Sequence, residues 1–130
     1  MLTHAPVVAF AATTDLARSH AFYADALGLR HVETTPFANV YDALGTSLRV
    51  TLVDRLTTAP YTVLGWVVPD IASAIDDLAR RGVAFERYDG LQQDAAGVWT
   101  APGGARIAWF RDPDGNVLSL TQPPVPPGMA

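Results

Sequence analysis

The sequence predicts an α+β fold built from two tandem strand–helix–three-strand modules in one chain. Three observations predict it. Two stretches repeat the same order of apolar strand, capping Asp, amphipathic helix and terminating Gly. Further apolar runs follow each helix, separated by Pro and Gly breakers. The last two runs flank Asp112-Pro113-Asp114-Gly115-Asn116. Pro113 presets φ there, and Gly115 and Asn116 tolerate left-handed backbone, so the segment reads as a hairpin.

Val7 to Ala12 reads as a buried strand, and Thr14 or Asp15 then supplies an N-cap oxygen. A helix is expected over about Asp15 to Leu27, with Leu16, His20, Tyr23 and Leu27 on one face and Gly28 as its C′ residue. Strand signals follow at Leu29 to Thr35, Phe37 to Tyr41 and Ser47 to Val53. Thr62 to Val68 opens the second copy. Asp70 caps a helix expected over about Asp70 to Arg81, with an Ile71, Ile75 and Leu78 stripe before Gly82. Asp15 maps to Asp70 at an offset of 55 and Gly28 to Gly82 at 54, which is an internal duplication with one small length change. Later strand signals are Val83 to Arg87, Val98 to Thr100, Ala105 to Phe110 and Val117 to Gln122. The expected organisation is one domain over 1–130, with modules at about 6–54 and 61–122. A Pro-rich tail, 123–130, cannot join a central strand.

The chain has 130 residues, a net charge of -4, nine Lys and Arg, and no Cys. Nucleic acid is not expected as a partner, because phosphate binding needs clustered cations and these are scattered. The lack of Cys excludes a disulfide scaffold, a thiolate metal site and a Cys nucleophile. No apolar run approaches the roughly 18 residues that span a bilayer, and no basic leader precedes the first strand. The expected address is the cytoplasm, with no membrane contact. No nucleophile elbow, Walker loop or dinucleotide fingerprint occurs. Asp112 and Asp114 read as turn residues rather than as an acid–base pair.

The Phe110-Arg111-Asp112-Pro113-Asp114-Gly115-Asn116 hairpin, with the duplicated Asp15-Leu16 and Asp70-Ile71 helix starts, resembles the vicinal oxygen chelate superfamily. That superfamily holds glyoxalases, extradiol dioxygenases and bleomycin-resistance proteins. The resemblance implies curved mixed sheets enclosing a cleft, and a homodimer. It also implies where metal-dependent members carry their ligands. These are Ser119, Val8 and Val63, with a fourth position within Leu48 to Val53, where no Glu or His occurs. Valine has no lone pair and a hydroxyl is a weak ligand, so neither a metal nor another cofactor is expected. His4, His20 and His31 lie apart in sequence. His20 reads as packed against the sheet, and His31 with Glu33 makes an incomplete metal site.

If Val8, Val63 and Ser119 face the cleft, period two puts Phe10, Ala12, Gly65, Val67, Val117 and Thr121 there as well. The expected ligand-binding residues are Phe10, Asn39, Tyr41, Arg49, Trp99, Arg106, Trp109 and Ser119, while Trp66 reads as core. Trp supplies flat stacking surface, and Arg can reach a carboxylate or phenolate. The expected function is a metal-free binding protein of the bleomycin-resistance type that sequesters an apolar or aromatic small molecule. The alternative is a lyase, dioxygenase or cofactor-free isomerase with an atypical site, using His20 or Glu33.

Overall fold

A computed structural model describes residues 1–125. The chain forms two compact units, Met1–Thr58 with Asp112–Asn116, and Ala59–Arg111 with the residues from Val117 on. Each holds a four-stranded mixed sheet.

In the first unit the sheet order is β1-β4-β3-β2, with β1 Val8–Thr13, β2 Arg30–Thr34, β3 Ala38–Ala43 and β4 Thr46–Leu52. β1 and β4 run parallel, and β3 is antiparallel to both of its neighbours. Strand alternation divides the sheet into two faces. Ala11, Thr13, Leu48 and Val50 are buried, whereas Val8, Phe10 and Arg49 point to the other, open face. The Asp15 carboxylate accepts from the Arg18 amide, so the cap is Asp15 rather than Thr14. The helix α1, Leu16–His20, passes into a π turn, Ala21–Ala26, with the Leu27 amide bonded to the Phe22 carbonyl. A π turn absorbs one extra residue within a helix. That is the residue by which the first cap-to-Gly interval exceeds the second.

The second unit has the order β5-β8-β7-β6, with β5 Leu64–Val67, β6 Trp99–Thr100, β7 Arg106–Arg111 and β8 Val117–Gln122. The helix α2, Ile71–Arg80, is capped by Asp70, and Gln122 accepts from the Ile71 amide. Ile71, Ile75, Phe110, Leu118 and Leu120 form the core, and Trp66 stacks on Phe110 at 6.4 Å as a core residue should.

One expected strand is absent. Val83 to Arg87 makes only a single bridge, Phe85 to Phe110, and one further bond from the Glu86 amide to the Trp109 carbonyl. Side chains replace the ladder beyond that point. Gln93 bonds the Tyr88 amide and the Glu86 and Gly97 carbonyls, while Arg87 donates to the Gln93 and Asp94 carbonyls. Residues 123–125 lie outside any strand, and the rest of the Pro-rich tail, 126–130, lies outside the described residues. No helix among the described residues is long and apolar enough to cross a membrane.

Candidate functional site

The open face of the second unit gathers aromatic rings around a hydroxyl. Cross-strand register sets Gly65, Ser119 and Trp109 in one row, and Val67, Thr121, Ile107 and Trp99 in the next. Trp99 and Trp109 lie 6.3 Å apart at 34°, and Tyr88 meets Trp109 edge-on at 5.5 Å. Burial raises the Tyr88 phenol above its ordinary range, so it is a neutral donor at physiological pH. Beside the rings, the Ser119 hydroxyl lies 2.6 Å from the point a Cβ on residue 65 would occupy. A side chain at 65 would have to turn that hydroxyl away and press on the Ser119 carbonyl at 3.2 Å, and Gly65 itself is exposed. The result is an angled aromatic wall with one hydroxyl beside it.

Arg106 does not reach this wall. It pairs with Gln122, whose side chain caps α2, so parity puts Arg106 on the helix side of the sheet, within 3.7 Å of Asp94. Tyr88 is the site residue that sequence reasoning missed, because it sits in a loop with no periodicity to assign its direction. An open groove of about 540 Å³ lies between α2 and the 83–97 segment. Its walls are mainly apolar, with Ala72, Ile75, Ala79, Val83 and Phe85, and Asp76 and Arg87 also line it.

The open face of the first unit is different in chemistry. One cross-strand row reads Phe10, Arg49, Val40 and Glu33. Phe10 is 60% exposed, and the Arg49 guanidinium, half-buried, has no hydrogen-bond or ion-pair partner among the described residues.

Asn39 and Tyr41, expected to touch ligand, belong to the other face. Their register partners are Val50 and Leu48, which are buried in the core. Asn39 donates to the Leu16 carbonyl at 3.1 Å and accepts from Thr34 at 2.8 Å. The fully buried Tyr41 has its hydroxyl 2.7 Å from His20 Nδ1. Burial, then the nearby Asp25 charge, pushes its phenol up to about 12. Both side chains are committed to internal bonds, so they leave the ligand set. His20 is packed against the sheet, its ring 4.7 Å from that of His31, whose Nε2 lies 2.8 Å from the Thr34 hydroxyl.

The hairpin tip Asp112–Asn116 is a buried polar knot of the first unit. Asp112 accepts from the Tyr23 hydroxyl, the Asn116 side chain, and the Asp114 and Asn116 amides. Asp114 accepts from the Thr13 hydroxyl at 2.5 Å, from the Thr14 amide and hydroxyl, and from Arg18 at 2.7 Å. With every oxygen engaged in this way, these carboxylates are structural.

The family model of the Glyoxalase/Bleomycin resistance protein/Dioxygenase superfamily matches residues 5–120. The chain belongs to this superfamily. Solved structures of similar fold include a superfamily member from Sphaerobacter thermophilus, 24% identical, with a TM-score of 0.73 and coverage of 95% of this chain and 100% of that one. A glyoxalase/bleomycin resistance protein/dioxygenase from Alicyclobacillus acidocaldarius is 18% identical, with a TM-score of 0.70 and coverage of 92% and 91%. A lactoylglutathione lyase from Agrobacterium tumefaciens is 16% identical, with a TM-score of 0.70 and coverage of 92% and 93%. Comparison with curated proteins finds no match.

Metal-dependent members of the superfamily require donors where this chain has few. Val8 and Val63, 44% and 41% exposed, offer methyl groups. On β4 the open-face residues are Ser47, Arg49 and Thr51. Hydroxyls are weak ligands and a guanidinium repels a cation, so this set does not fit a divalent ion. Among the described residues, no three His, Asp or Glu side chains are grouped to hold one.

Proposed function

We propose that this superfamily member binds an apolar, ring-containing small molecule on the open face of its second unit, and sequesters it without a metal and without chemical change. The observation that carries this reading is the Tyr88–Trp109–Trp99 wall beside the Ser119 hydroxyl in its Gly65 notch. Aromatic walls with a few oriented polar groups are how small-molecule sites usually bind. Among the described residues no nucleophile–base pair accompanies the wall, which favours holding over transforming.

A homodimer acting in the cytoplasm completes the proposal. β1 and β5 are edge strands, and their unpaired backbone edges are what a second copy would cover. The net charge of -4 and the absence of Cys suit a partner that is not nucleic acid and a reducing compartment.

Titration with a panel of aromatic natural products should quench Trp fluorescence for one class, and Trp109→Leu should abolish that response. The recovered ligand should have an unchanged mass. Turnover of the bound compound would replace sequestration with catalysis, and no quenching by any class would remove the aromatic site. If the ligand is a toxic drug, expression in a sensitive host should raise tolerance to it. Sedimentation at micromolar concentration should give a dimer.

A further inference from the structure

We propose that Arg49 is the anchor of a second recognition surface, on the open face of the first unit, which takes the carboxylate of a small flat organic acid. It rests on residues of the first unit, whereas Trp66, Trp99 and Trp109 all lie in the second.

Arg49 is held by buried neighbours. Leu48 and Val50, 1% and 0% exposed, fix β4 so that residue 49 must point to the open face. Its cross-strand partners are Phe10 and Val40, so the guanidinium emerges between two apolar side chains. A half-buried Arg packs its stem on apolar neighbours and keeps its guanidinium toward solvent, where it can take an anionic partner. Here the nearby acids are otherwise placed. Asp42, on the same face, lies 3.6 Å from Arg30. Glu33 is two strands away, roughly 10 Å at ordinary strand spacing. Arg49 is therefore the uncommitted cation of this face.

The surroundings define the ligand. Ser47 and Thr51 flank Arg49 on the same strand and face, and their hydroxyls have no side-chain hydrogen bonds among the described residues. One fork-shaped cation between two hydroxyls matches a planar two-oxygen carboxylate. Exposed Phe10 on the adjacent strand offers a ring against which a flat body can lie. One uncommitted cation, in a chain of net charge -4, disfavours a multiply charged phosphate.

The test uses benzoate, benzamide and inorganic phosphate with the full-length protein at low salt, read by NMR. Benzoate should shift the Arg49 Nε–H and Phe10 ring signals saturably, and benzamide should bind at least tenfold more weakly. Arg49→Gln should lose at least tenfold in benzoate affinity with an unchanged backbone spectrum, Arg49→Lys should lose less, and Phe10→Ala should also weaken binding. Equal binding of benzoate by Arg49→Gln and the native chain would overturn the proposal, as would phosphate binding as tightly as benzoate. Trp quenching by aromatic ligands without any change at Arg49 would sink this inference and leave the second-unit site intact. Loss of quenching with benzoate binding retained would do the reverse.

Discussion

The β3–β4 and β7–β8 hairpins close corresponding strand pairs of the two modules, and they could hardly differ more. The first is a two-residue connection, with Ala43 paired to Thr46 and both Leu44 and Gly45 at positive φ, 51° and 90°. Leu44 is fully exposed, and the Asp42 carboxylate supports the turn by accepting from the Gly45 amide. The second is the five-residue knot of Asp112 to Asn116, buried and bonded to β1 and the π turn of the first unit. One hairpin is set by local backbone geometry, and the other by long-range hydrogen bonds. Sequence distance decides which rules apply. A two-residue turn must satisfy its own twist, whereas a longer loop can have its conformation dictated from elsewhere.

The largest expected effect that would break this contrast is Asp112→Ala. It strands the Tyr23 hydroxyl, the Asn116 amide group and two backbone amides, so unfolding in urea should show a loss of about 3–5 kcal/mol. A loss below 1 kcal/mol would reduce the knot to an ordinary turn. Tyr23→Phe removes one donor and leaves Asp112 its other three, so the same measurement should give a loss of about 1–2 kcal/mol.

Acid should act through Asp114. Burial alone would raise its carboxyl, but bonds from Thr13 and Thr14 and the charge of Arg18 outweigh that and hold it below the ordinary range. A depressed folded pKa contributes stability above the unfolded value, near 4, that is lost as pH falls through the folded one. Asp114→Asn should therefore cost about 1 kcal/mol at neutral pH and flatten the fall in stability below about pH 4. An unchanged acid limb would remove Asp114 from this account.

The smallest effect has the opposite sign. Leu44 occupies left-handed backbone that a branched-chain residue dislikes, and nothing packs on its side chain. Leu44→Asn should raise the melting temperature slightly, by about 0.5–1 kcal/mol in stability. A destabilised variant would show that the first hairpin, too, depends on contacts beyond itself.

The elements that were legible in the sequence are those governed by local rules. Asp15, Asp70, Gly28 and Gly82 mark helix ends because caps need particular oxygens and particular φ, and β8 falls on Val117–Gln122 as its alternation requires. Parity placed Phe10 and Ser119 on open faces. The errors have one origin. Which face Asn39, Tyr41 and Arg106 present depends on strand register and on what covers each side, and no local pattern encodes that. Val83 to Arg87 has strand composition but lost its ladder to Gln93 and Arg87, whose reach across the loop is a tertiary accident of position.

By itself, then, the sequence determined the duplicated α+β plan, the helix boundaries and the supply of chemistry, since propensity, capping and alternation act over a few residues. The tertiary structure decided which side chains converge. It set Tyr88 against Trp109, opened the Gly65 notch for the Ser119 hydroxyl, left Arg49 without a counter-ion, and turned the Asp112–Asn116 motif from a turn into a buried network. Each depends on residues far apart in the chain meeting within about 3–6 Å, a distance that only packing and register can fix.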